Sequence, residues 1–209
     1  MKYFWLTLKH KWFVLLAGLK VGGIPFWRLL LHDLSKLTPM ELPHYQRQFF
    51  GKADDPLGFI RCWVRHQNHN PHHWEYWIPR TGHNRCTPPY PDGEPVPMPE
   101  WAVREMVADW MGAGRAYTGK WDNLHDWTWL RKNLPEITPH LHRETRDTLC
   151  RVLGGIGAWP RPCPYYDADR CKFPGKLGGE TCNTDGCVFE VWGSIDAARG
   201  PLSLEKEHV

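Results

Sequence analysis

Histidine and carboxylate side chains recur along the first half of this chain in a pattern that suits a metal ion. His32 and Asp33 are adjacent and set among Leu29, Leu30, Leu31 and Leu34. An ionised Asp carried into an apolar helix needs a partner or a metal. The pair therefore reads either as a hydrogen-bonded Asp–His couple or as two ligands. Lys36 follows three and four residues on, hence on the same side, where a cation beside a carboxylate–metal cluster suits a phosphate substrate. Downstream, His66, His69, His72, His73 and Glu75 fall within ten residues, a dense collection of ligand-type side chains. His66 and His69 share a face if helical, while His72 and His73 follow Pro71 and diverge. The alternative is a surface His-rich turn that binds metal adventitiously. Asp109 is the third feature. Its same-face neighbours Ala102, Gly112, Ala113 and Ala116 are small, which leaves room for an ion and a substrate or serves close helix packing. Glu105, four residues earlier, is either an outer partner of a ligand or an exposed charge.

Helices must position these residues. The first is expected over Lys2 to about Lys20, with Trp5, Leu8, Trp12, Leu15, Leu16 and Leu19 on one stripe and Leu6, Phe13, Val14 and Ala17 on another that carries His10. Two apolar faces predict a buried helix with His10 pointing into packed protein. A second helix starts at Pro25 and spans Phe26 to about Leu37, with the His32-Asp33 pair inside it. Thr38-Pro39-Met40-Glu41 is a capping signal for a third helix ending near Gly51. A fourth helical stretch runs from Phe59 to about Asn70. Residues 79–100 hold Pro79, Pro88, Pro89, Pro91, Pro95, Pro97 and Pro99 and read as a long irregular loop, a candidate lid. The period returns at Val103, Met106, Val107, Trp110 and Met111 for a helix to about Tyr117. A weaker helix covers Leu124 to Leu134, and Thr138-Pro139 caps a last one through Leu153.

The whole chain has 209 residues, net charge +3, 13 Trp and 12 His. The near-even charge balance argues against a strongly basic nucleic-acid binder, and the Trp excess is either core material or part of an interface between copies. No apolar run reaches the roughly 18 residues of a membrane span, so only a peripheral membrane contact stays open. The N-terminus lacks a signal-peptide pattern and reads as mature protein. Seven Cys, an odd number, fit a reducing cytoplasm better than a disulfide framework. From Pro160 the composition shifts to Pro, Gly, Cys and Asp, so residues 1–158 are expected as a helical metal-binding domain and 159–209 as a Cys-rich, loop-rich extension. Cys163, Cys171, Cys182 and Cys187 match the ligand number of a structural zinc site but lack CxxC spacing, leaving zinc, disulfides and free thiols as readings.

Taken in order, His10, His32-Asp33, the His66–His73 cluster and Asp109 resemble the H…HD…D signature of the HD-domain superfamily of metal-dependent phosphohydrolases. His32-Asp33-Leu34-Ser35-Lys36 is similar to that superfamily's HD-x-x-K stretch. The strings HDLSK, NPHHWEYW and EMVADWMGAGRAYTG resemble a phage and bacterial domain assigned to it, over about residues 5 to 120. The resemblance implies an all-α, HD-domain-like bundle with His10, His32, Asp33 and Asp109 as metal ligands. It also implies a second set from the His cluster, for which His66 and His73 are favoured and His69 and His72 are additional candidates. One or two divalent transition metals (Mn, Fe, Co, Ni or Zn) suit this donor set better than Mg. Asp33, Lys36 and Glu75 become candidate catalytic groups, and Lys36, Arg65 and Arg115 candidate phosphate holders. The implied reaction is hydrolysis of a phosphorylated small molecule, a nucleotide by family habit, through metal-activated water. The rival reading is a non-enzymatic, metal-stapled interaction or nucleic-acid-binding module.

Overall fold

The computed structural model describes residues 2–79 and 93–158 and the backbone of residues 166, 167, 170 and 171, and its body is all-α. α1 (Lys2–Val21) turns Tyr3, Thr7, His10, Val14, Ala17, Gly18 and Val21 inward. The stripe of Trp5, Trp12, Leu16 and Leu19 is exposed. Only one of the two apolar faces expected to be buried is therefore covered, and it is the one that carries His10.

α2 is shorter than the 26–37 expectation, running Phe26–Leu31, and a 3-10 turn follows at Leu34–Leu37. Asp33, between them, sits in the left-handed region at φ 54° and ψ 19°. The His32-Asp33 pair thus lies in a break rather than inside an apolar helix. Leu30, Leu31 and Leu34 are exposed, and of the four leucines only Leu29 is buried, where it packs on the bare backbone of Gly18. The break is held from outside: the Lys11 ammonium donates to the carbonyls of Leu30 (3.1 Å) and His32, taking up acceptors that a helix end leaves unpaired.

α3 (Leu42–Phe50) begins later than the Thr38–Glu41 capping signal implies. Thr38 supplies a backbone carbonyl to the amides of Glu41 and Leu42, but the Glu41 side chain is buried rather than closing a capping box. α4 (Pro56–His69) opens on Asp55, whose carboxylate accepts from the Gly58 amide. A 3-10 turn at Trp74–Trp77 follows.

α5 (Glu100–Thr118) is the central element and ends on Gly119 in the left-handed conformation. It lies along α1 at close range: a Cβ on Gly112 would stand 2.5 Å from Val14 Cγ2 and 2.7 Å from its backbone nitrogen. The small residues of this face therefore serve, at Gly112, helix packing. α6 (Thr128–Ile137) and α7 (Arg143–Gly155) complete the body. Thr138-Pro139 forms a 3-10 turn rather than the start of the last helix, which His142 caps by accepting from the Glu144 amide.

The main core joins Val14, Ala17 and Val21 of α1 to Val103, Met106, Val107 and Met111 of α5 and to Leu149, Val152 and Leu153 of α7. A smaller aromatic core joins Tyr3, Tyr45 and Cys62 across α1, α3 and α4. Within the proline-rich loop, residues 93–99 are anchored by Val96 N to Trp77 O and by Met98 N to Thr145 Oγ1, both 2.8 Å. The expected lid lies largely outside the described residues. Beyond Ala158, β1 (Tyr166–Asp167) pairs antiparallel with β2 (Arg170–Cys171). Cys163, Cys182 and Cys187, and with them the zinc reading of the extension, lie outside the described residues. No helix among the described residues is long and apolar enough to cross a membrane.

Candidate metal centre

Asp33 is fully buried, and its two oxygens face different neighbours. Oδ2 lies 3.2 Å from His10 Nε2 and 3.7 Å from His32 Nε2. Oδ1 lies 3.2 Å from His66 Nε2 and 3.4 Å from His72 Nε2. Asp109 closes the first group from α5, with Oδ1 3.0 Å from His10 Nε2 and 3.3 Å from His32 Nε2. His73 closes the second. Two sets of ligand atoms thus converge, His10, His32, Asp33 and Asp109 in one and Asp33, His66, His72 and His73 in the other, and each can hold a metal ion. His32, His72 and Glu105 form a third convergent trio.

The donor chemistry fits a cation. His10 Nε2, Asp33 Oδ1, His66 Nε2, His72 Nε2 and His73 Nε2 are buried with no hydrogen-bond partner among the described residues. They approach one another closely without hydrogen-bond alignment, as lone pairs do when they share a point between them. Left uncompensated, each such buried polar atom costs roughly 1–3 kcal/mol.

Carboxylates outside the groups set the imidazole orientation. Glu105 Oε1 is 3.1 Å from His32 Nδ1 and 3.4 Å from His72 Nδ1, and its other oxygen accepts from Arg28 Nε at 2.6 Å. Glu41 Oε2 is 3.0 Å from His66 Nδ1 and also accepts from Ser35 Oγ. A carboxylate that takes the Nδ1 proton leaves the Nε2 lone pair for a metal. Of the two readings of Glu105, the buried partner is the one observed. Glu41 was hidden behind its apparent capping role.

The electrostatics follow from this crowding. Burial pushes the Asp33 carboxyl up, but Lys36 Nζ at 2.5 Å together with His32 and His66 outweighs it and holds the group well below the usual range. Asp109 is likewise held low against burial by His10 and His32. Burial pulls the His32 ring down, yet Asp33, Asp109 and Glu105 prevail and raise it to about 9. His73, whose neighbours are mainly His72 and His66, is held well below its ordinary value by burial and by those rings. Burial raises Glu75, although Gln67 Nε2 donates to its Oε1 at 2.6 Å. Glu75 Oε2 is buried without a hydrogen-bond partner among the described residues, 3.9 Å from His73 Nδ1.

The remaining candidates separate from the centre. His69 is exposed, its Nδ1 accompanying the Arg65 carbonyl at 2.8 Å, because the four-residue step that shares a face with His66 leads to Asn70. Asn70 Nδ2 indeed donates to the His66 carbonyl at 2.7 Å. Arg65 is exposed on α4. The Arg115 guanidinium sits 5.0 Å over the Phe13 ring, a packing position. Trp74 stacks on His140 at 4.8 Å and Trp77 Nε1 donates to the Pro71 carbonyl, so both tryptophans pack.

Fold and site together define a helical domain with buried His and carboxylate groupings able to hold metal. Residues 1–154 match the model of a family described as of unknown function, DUF5662, and the chain belongs to that family. No curated protein matches the sequence, and no solved structure matches it.

Proposed function

We propose that this protein is a metal-dependent phosphohydrolase acting on a phosphorylated small molecule, with nucleotides the first class to examine. The observation that carries the reading is Asp33, a single buried carboxylate with separate oxygens facing separate His groups. Structural metal sites are closed, whereas catalytic ones keep an open position. Here the first group opens at Asp109, 16% exposed, while the His32, Asp33 and His66 side chains and the His73 Nε2 atom are sealed. The likeness of His10, His32-Asp33-Leu34-Ser35-Lys36 and Asp109 to the HD signature supports phosphoester chemistry.

Divalent ions bound at such groups lower the pKa of water and neutralise phosphoryl charge. The side chains divide the remaining work. Lys36 keeps Asp33 ionised by direct contact, and its ammonium is the candidate partner for a phosphate oxygen. Glu41 and Glu105 hold His66, His32 and His72 in the metal-facing orientation. Glu75, whose Oε2 lies beside His73, is the candidate base for the attacking water.

The test is metal analysis of purified protein followed by phosphate release from a nucleotide panel with Mn, Co and Ni. Wild type is expected to hold one or two ions per chain and to release phosphate. Asp33→Ala is expected to lose both while remaining folded by circular dichroism. Full activity of Asp33→Ala with all three metals would overturn the proposal. Tight metal without turnover, together with salt-dependent binding to DNA or RNA, would mark a metal-stapled module instead.

A further inference from the structure

Among the described residues, α1 and α2 leave a large apolar face uncovered. Trp5 (62% exposed), Trp12 (57%) and Leu19 (60%) follow one another at seven-residue intervals on the outer side of α1, with Leu16 beside them. Phe26, Trp27, Leu30 and Leu31 of α2 and Leu34 after it are also about half exposed. α2 rests on α1 through Leu29 against Gly18 and through Lys11 on the Leu30 carbonyl, which brings the two outer faces side by side. His10 points the opposite way from Trp5 and Trp12, into the interior.

Charge decides what such a face meets. Lys2, Lys9, Lys11, Lys20 and Arg28 lie within residues 2–31, and that stretch holds no Asp or Glu. By helical spacing, Lys2 and Lys20 border the apolar stripe on one edge, while the Lys11 ammonium is taken up by the Leu30 and His32 carbonyls, that of Lys9 by the Ala116 carbonyl and the Arg28 guanidinium by Glu105. Asp122 shares a groove with Leu16 and Lys20, but its Oδ2 is buried, over Gly114. A second copy of the same face would bring lysines against lysines. An anionic surface would not, and lysines flanking a Trp- and Leu-rich stripe match the depth profile of a bilayer interface, where indoles sit at headgroup level and lysine stems reach back to the phosphates.

We propose that the outer face of α1 and α2 docks the protein on an anionic lipid surface, lying in the interface rather than crossing it. The apolar stripe and the Lys2 and Lys20 edge provide the two attractions that reversible peripheral binding requires. The metal groups, on the inner side of α1, stay clear of the lipid. This inference is independent of the reaction catalysed.

Co-sedimentation of the full-length protein with vesicles tests it, comparing phosphatidylcholine alone with a mixture containing about a third phosphatidylserine, a composition giving a negative surface potential. Wild type is expected to pellet with the anionic vesicles and to be released by salt, since the Debye length shrinks to about 3 Å at 1 M. The double variant Trp5→Ser, Trp12→Ser should lose binding to the anionic vesicles. Lys2→Glu with Lys20→Glu should weaken anionic binding by roughly tenfold or more while leaving the apolar stripe intact. These positions are exposed, so unchanged metal content and circular dichroism serve as folding controls. Wild type remaining in the supernatant with anionic vesicles would overturn the proposal. So would a wild-type dimer in sedimentation velocity that Trp12→Ser converts to monomer without any vesicle binding, which would assign the face to a second copy.

Discussion

Asp33 holds the left-handed backbone conformation at φ 54°, which costs an L-residue roughly 1–2 kcal/mol and which Asp tolerates better than most. The strain is retained because that conformation turns the carboxylate to Lys36 and to four imidazoles at once. Glu105 shows the complementary principle, a buried carboxylate that works through other side chains. Replacing it in Glu105→Gln keeps the shape but removes the charge that draws the Nδ1 protons of His32 and His72 and pairs with Arg28. Metal affinity is expected to fall about 10- to 100-fold, measured by competition with a chromogenic chelator. Unchanged affinity would remove Glu105 from its positioning role.

At the scale of elements, the centre is assembled where α1, the break after α2, α4 and α5 meet, and the α1–α5 contact sets its width. His10 on α1 and Asp109 on α5 are 3.0 Å apart because Gly112, one turn from Asp109, lets Val14 approach the α5 backbone. Gly112→Ala forces a methyl into that contact. A loss of about 1–3 kcal/mol in urea denaturation is expected, as for an overpacked core, with weaker metal binding as His10 and Asp109 part. Unaltered stability would mean that the two helices separate freely and that this contact does not set the site.

For the whole molecule, buried charge links metal binding to stability. The carboxylates of Asp33, Glu41, Glu105 and Asp109 face the cations of Lys36 and Arg28, so with neutral imidazoles the centre carries excess negative charge. A divalent ion offsets it, and without one the His rings must take up protons at a cost in burial. Chelation is therefore expected to lower Tm and added transition metal to raise it with concentration, read by differential scanning calorimetry. Asp33→Ala should show neither response. A wild-type Tm indifferent to chelator and to added metal would show that the groupings bind no ion in the folded state. The family match over residues 1–154 nearly coincides with the described helical body, and every residue of this centre lies within it.

The sequence by itself determined the all-α class, the long helices α1, α4 and α5, the burial of His10 and the order of His10, His32-Asp33, His66 and Asp109, because side-chain type and helical period are local properties. It determined less where helices begin and end through tertiary contacts. The break after Leu31 depends on Lys11 reaching from α1 to the Leu30 and His32 carbonyls, and no pattern within residues 26–37 contains that lysine. Spacing could not separate His72 from His69, since the turn after Pro71 rather than a helical period brings His72 to Asp33. Glu41 read as a cap because its neighbours Thr38 and Pro39 are capping residues, and only the packing of α4 beside it showed a carboxylate committed to His66. The covered face of α1 was likewise decided by α5: both stripes are apolar, and Gly112 admits the one that carries Val14 and His10.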